Sequence, residues 1–374
     1  MRKGEQRILG SLTALLPISL LLVLWARSAP DQLERLYSLG FYPIWGGLLI
    51  GLTSWVPFSL AEGAVAAGVL LALTLAVTCL RGLVRHRGQR WARTKVLALR
   101  LLGWGSLVVF LFTIGGGLNY YRYTFTHYSG LEPAPSQVLQ LRDLCVELRD
   151  QANLLRVGLE EDEAGVFTFR DGSPRSLAVT ARDHFQALGI QNPQWQPLLE
   201  LGGRTLPKGV YFSQVMSYLQ ITGFFFPYTM EANVNMHTSA IDIPFTMCHE
   251  LSHISGFMRE DEANFLGYLA CMAGDSQEFA YSGTMQALIH AGNALHSRNQ
   301  QLYYEVMEDA SPGVRRDLDA DADYYYAHKT PVGEFSQSVN DVYLRVNNQA
   351  DGVDSYGRMV DLLLADYRQR HGLE

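Results

Sequence analysis

The stretch PFTMCHELSHISGFMREDEAN, residues 244–264, decides how this chain is read. Within it His249 and His253 lie four residues apart. On a helix both imidazoles then project from one face a single turn apart, the spacing that one Zn²⁺ requires. Glu250 sits beside them, placed to serve as general base on a metal-bound water. Ile243 and Pro244 mark a helix start, and Phe245, Met247 and Cys248 give it an apolar face, so a packed helix would hold the histidines. Gly256 and Phe257 end that helix, and a second begins near Arg259.

The acidic run beyond the turn offers a third ligand. In the Glu-zincin arrangement this is the first residue of E-x-x-x-[D/N] on the following helix. The Asp or Asn one turn later supports a ligand histidine from behind. Glu260 and Asn264 fit that spacing, with Glu262 as the rival ligand. The metzincin pattern shares Gly256 but needs a ligand at position 259, where Arg259 has no lone pair to give. An additional donor to a developing oxyanion is expected from Tyr356, Arg358 or His237.

Other marks are weaker. Phe224 to Asn235 reads as strand, and as an edge it would bind a substrate backbone by β-addition. Packing of Phe224, Phe225 and Phe226 into a sheet core is the plainer alternative. Asp317, Asp319, Asp321 and Asp323 alternate without the glycine turn and closing glutamate of a calcium loop, and read as a solvated helix face. His290, His296 and His328 stand alone and are read as structural.

Outward from the motif, charge divides the chain of 374 residues in two. Up to Asn119 it carries twelve Lys and Arg against four Asp and Glu, a net of +8. The remainder carries 18 basic and 33 acidic residues, a net of −15, which excludes nucleic acid as the partner of that half. The basic part contains three apolar runs of membrane-spanning length, at about 8–26, 60–80 and 101–118. Residues 41–58, rich in Gly, Pro and Trp, read as an interfacial or re-entrant piece. Basic residues crowd positions 81–100 and the N-terminal tail, so the positive-inside rule puts both in the cytoplasm. Three crossings then carry everything after Asn119 to the outer face. The domains expected are 1–119 in the membrane and 120–374 outside it.

The outer part reads as α+β. Helices are expected over Ser136–Arg156, from Ser173 to Gly189, and almost throughout after Pro244, ending in Ser355–Gln369. Two or three strands are expected within Val210–Asn235. Of four cysteines, Cys145, Cys248 and Cys271 fall in this part; one disulfide among them or free buried thiols are both open readings.

Together, Asn119–Arg122 after the last span, Pro244–Glu250, Arg259–Phe265 and Asp351–Arg358 resemble a bacterial membrane-protein family known as domain of unknown function 3810. The likeness covers most of the chain. It implies a bacterial plasma-membrane protein, related to the Glu-zincin metallopeptidases, with a mainly helical zincin-like domain and a small sheet. The interval from His253 to Glu260 is shorter than in most Glu-zincins. The expected function is therefore a membrane-anchored zinc peptidase acting on a cell-surface peptide or protein. A zinc-stabilised sensor or scaffold is the alternative. Proteolysis inside the bilayer is disfavoured by Ser252, Arg259, Glu260 and Asp261 around the motif.

Overall fold

A computed structural model describes residues 3–85, 88, 90–134, 137–347, 349 and 358–373. The N-terminal helices are α1 (Lys3–Thr13), α2 (Leu15–Ser28), α3 (Pro30–Leu33), a π-helical stretch (Glu34–Phe41), α4 (Tyr42–Thr53), α5 (Leu60–Arg85) and α6 (Arg90–Gly115). Among the described residues, four segments are long and apolar enough to cross a membrane: Arg7–Ser28, Pro30–Thr53, Leu60–Cys79 and Arg93–Gly115. Pro30–Thr53 is thus an addition to the three expected, because helix continues through residues whose Gly and Pro suggested a break. The last segment also starts earlier than residue 101 and stops at Gly115, where a 3₁₀ turn, Gly117–Tyr121, takes over.

The added segment is fastened to the downstream domain along its length. At its start Glu34 is buried against Arg122 at 2.9 Å and accepts the Tyr123 amide. In its middle the Tyr42 hydroxyl donates to the Ile254 carbonyl at 3.0 Å, and Gly46 lies against Leu201 and Met230. At its end Thr53 donates to the Thr229 carbonyl and accepts from Lys208. Its other face, Leu36, Ile44, Leu48 and Leu52, is exposed.

The domain continues through α7 (Phe125–Ser129), α8 (Val138–Arg156), α9 (Pro174–Gln191), α10 (Gln196–Leu199), α11 (Ser213–Tyr218), α12 (Ile243–Ile254) and α13 (Glu260–Ala273). It then closes with α14 (Gln277–Arg298), α15 (Gln300–Glu308), α16 (Pro312–Ala327), α17 (Pro331–Val346) and α18 (Met359–His371). Helices α8 and α9 fall where periodicity placed them, α9 starting on a Ser173 side chain that accepts the Ser176 amide. Three short strands, β1 (Lys208–Gly209), β2 (Gly223–Phe226) and β3 (Glu231–Val234), form one sheet in the order β1-β3-β2. Strand β3 pairs parallel with β1 and antiparallel with β2, which leaves β2 at an edge.

Two strands, β2 and β3, fall within Val210–Asn235 as expected, and the helix Ser213–Tyr218 precedes them. One expectation is corrected here. Asp317 is buried, unlike a solvated carboxylate, because Arg156 Nε, the Tyr281 hydroxyl and the Phe167 amide all donate to it; Asp319 and Asp323 are exposed. The cysteines are free thiols, three of them buried.

The sheet and the start of α5 meet at a polar junction. Buried Glu231 accepts the Leu60 and Ala61 amides at 3.2 and 2.8 Å, capping the start of α5, and pairs with Lys208 Nζ at 2.5 Å. Helix α12 lies at the centre of the domain, buried at every position from Ile243 to Ile254, and packs on α13, α9, α14 and β3.

Candidate metal centre

The turn between α12 and α13 builds the site. Gly256 adopts φ +87°, where a side chain would be strained, and a Cβ there would meet Asn119 Nδ2 at 2.8 Å and Arg122 Nη1 at 3.0 Å. Arg122 donates to the Ser255 carbonyl and lies over the Phe257 ring, which ties the end of the 3₁₀ stretch Gly117–Tyr121 to this turn. The sharp reversal lets α13 return across α12, bringing Glu260 under the two histidines.

His249, His253 and Glu260 converge with one ligand atom each, all within 4.8 Å of one another. Glu260 Oε2 lies 3.4 Å from His249 Nε2 and 3.7 Å from His253 Nε2. Both histidines therefore turn Nε2 inward. The outward Nδ1 of His253 meets the Phe257 carbonyl at 2.8 Å; an N–H there leaves the Nε2 lone pair free for a cation. Asn264 is buried beside His249, as its spacing from Glu260 required; His249 Nδ1 and Asn264 Nδ2 have no hydrogen-bond partner.

Glu262, the rival ligand, points elsewhere. It is buried with Oε1 accepting the Phe125 amide at 3.1 Å, and burial pushes its carboxyl up to about 7. Of the two acids, the fold brings Glu260 to the histidines.

Glu250 shares the cavity with the cluster, and its Oε2 has no partner. Burial pushes its carboxyl up to about 8 despite the neighbouring His253 charge. Burial also acts on His253, but Glu260 and Glu250 outweigh it and hold the imidazole up to about 9. His249 is lowered, chiefly by burial. Glu260 lies well below the carboxylate range because both histidines overcome its desolvation. With no cation, the cluster is a buried histidine–glutamate ion pair. Two imidazole nitrogens and a carboxylate, with an orphaned acid alongside, also form a donor set that suits zinc.

The cavity holds about 470 Å³ and reaches from the cluster to Phe112 and Gly116 at the end of α6, with β2 and α17 as further walls. Of the expected oxyanion donors, the two described ones, His237 and Arg358, are not among its lining residues. His237 bonds Ser217 and Tyr324, Arg358 stands exposed at the start of α18 near Asp261, and Tyr356 lies outside the described residues. The cavity instead presents His290, Tyr343, Asn340 and Gln286. Sequence reasoning set His290 aside as structural. It lies on α14, and burial with the nearby His249 pushes it down to about 4.

No curated protein and no solved structure matches this chain. A family profile matches residues 37–364, which run from within the π-helical stretch through α4, the sheet and the cluster into the first half of α18. On that match the chain belongs to the family described as Protein of unknown function (DUF3810).

Proposed function

We propose that this protein is a membrane-anchored zinc peptidase of zincin type, with His249, His253 and Glu260 as metal ligands and Glu250 as general base. The observation that carries the reading is the convergence of three ligand atoms beside an unpaired, buried Glu250 carboxylate in an open cavity. Zinc held there would supply Lewis acidity, lowering the pKa of a coordinated water and polarising a carbonyl. The chain's own part follows from its residues. Glu250, buried beside the ligand cluster with Oε2 unpartnered, accepts a proton from the attacking water and returns it to the leaving amine. The Phe257 carbonyl holds the His253 imidazole in orientation, and Asn264 stands beside His249. The half-buried edge strand β2 offers backbone groups along which an extended polypeptide can align. His290 and Tyr343 face the same space as donors to a developing oxyanion.

The topology proposed with it has three crossings: α1–α2, α5 and α6. The Pro30–Thr53 segment is bonded to the domain at its start, middle and end, which favours lying along it over crossing. An even count would put residues 81–100 and the N-terminal tail on opposite faces, against the basic charge of both. The domain is then extracytoplasmic. A purely structural metal site explains the ligands but gives no use to an unpaired acid facing the cavity.

Glu250→Gln tests the chemistry. The full-length protein should keep its metal and lose at least ~10²-fold of its hydrolysis of quenched fluorescent peptides. Undiminished hydrolysis would remove the proposed role of Glu250.

A further inference from the structure

Helix α17 carries Val332, Phe335, Val339, Val342 and Val346, spaced 3-4-3-4, so all lie on one stripe. All five are exposed. The opposite face is committed to the domain: Leu344 and Gly333 are buried, and Ser336, Gln337 and Asn340 line the metal-centre cavity. Next to α17 lies α11, whose Tyr218 carbonyl accepts from Thr330. Tyr211, Phe212, Val215 and Tyr218, on and just before α11, are exposed as well. Nine large apolar side chains on adjoining elements exceed what a water-facing surface ordinarily shows.

The two ends of this belt fix its level. Glu62, in the first turn of α5, accepts the Tyr211 and Phe212 amides at 3.0 and 2.7 Å. Phe112, in the last turn of α6, packs edge-on against Tyr343 of α17 with centroids 6.1 Å apart, and Tyr343 also bonds Tyr120. The belt thus runs from the domain end of one candidate span to the domain end of another, the depth at which aromatic and aliphatic side chains partition into a bilayer surface.

We propose that α11 and α17 seat on the lipid bilayer, α17 lying in its plane with the valine–phenylalanine stripe immersed. The occupant of this apolar face is the membrane that the spans already cross. Because α17, α6 and β2 are also cavity walls, the metal centre then opens beside the lipid surface. Resting on the peptidase reading above, the substrate class is a polypeptide tethered to the membrane and cut close to where it leaves the lipid.

The seat is read without turnover. In the full-length protein in phosphatidylcholine nanodiscs, with Cys79→Ser to leave only buried native thiols, nitroxide labels are placed at Val339→Cys, Phe212→Cys and Glu334→Cys. Labels at 339 and 212 should collide preferentially with oxygen, and the label at 334, on another face of α17, with a water-soluble nickel chelate. Nickel preference at 339 overturns the seat; oxygen preference at both 339 and 334 overturns the in-plane orientation. In the wild type, one peptide should be cut at least ~10-fold faster on a lipid anchor than free in solution, since tethering raises its effective concentration. Equal rates would overturn the substrate class. Absence of any hydrolysis would count against the peptidase reading and leave the label result standing on its own.

Discussion

Gly223, at the start of edge strand β2, offers a way to disturb Glu250 without touching a metal ligand. A Cβ built there meets Glu250 Oε1 at 2.5 Å, Thr246 Cγ2 at 2.7 Å and Glu250 Cγ at 3.0 Å, whereas ordinary contact begins near 3.4 Å. Gly223→Ala must therefore push the carboxylate aside by roughly 1 Å, a displacement that costs on the order of 10²-fold in rate at a reacting group. At 1.36 kcal/mol per tenfold, that is about 3 kcal/mol on the barrier. The inserted methyl should also cost about 1–3 kcal/mol of stability through overpacking. The assay is kcat/KM on a quenched fluorescent peptide, with zinc content measured on the same sample. Gly223→Ala should keep its zinc and lose activity. Because the effect passes through Glu250, adding Gly223→Ala to Glu250→Gln should cost little more. Wild-type activity in Gly223→Ala, or full additivity in the double variant, would refute the reasoning.

Three further outcomes follow from the same structure. Glu231→Gln leaves buried Lys208 without its anion and weakens the cap on α5, so stability should fall by about 3–5 kcal/mol in a denaturation series on the full-length protein. Asp242 is buried and its carboxyl is raised by desolvation and by the nearby Asp321 charge. A raised acid favours the folded state below its ordinary value near 4, and that contribution is lost as the pH rises through the folded value. The wild type should therefore lose thermal stability relative to Asp242→Asn as the pH climbs from about 4 towards neutrality; parallel melting curves would contradict this. Arg122→Met should destabilise the protein by about 3–5 kcal/mol, because it strands Glu34 in the interior and frees the turn under Gly256. An unchanged midpoint would show the pair to be dispensable.

The parts of the site legible in sequence are those set by helical spacing. His249 and His253 lie one turn apart on one helix with Glu250 next to His249, and Glu260 and Asn264 lie one turn apart on the next, so periodicity alone orders them. His290 and Tyr343 come from α14 and α17, brought in by packing that no local pattern encodes. His237 lay near the motif in sequence but is held by Ser217 and Tyr324. The helix Ser213–Tyr218 is not legible from propensity, because tertiary context decides so short a segment. Asp317 looked like one of four solvated acids, and only its distant partners Arg156 and Tyr281 reveal a buried role. The Pro30–Thr53 segment shows the same limit: its apolar length was visible, but its polar attachments at Glu34 and Tyr42 reach partners some 90 and 210 residues away.

Metal stoichiometry of the purified full-length protein tests the central claim most directly. After loading with zinc and gel filtration, the wild type and Glu262→Gln should each retain one zinc per chain, and Glu260→Gln should lose it. Zinc kept by Glu260→Gln but lost from Glu262→Gln, or a wild type that binds none, would contradict the account.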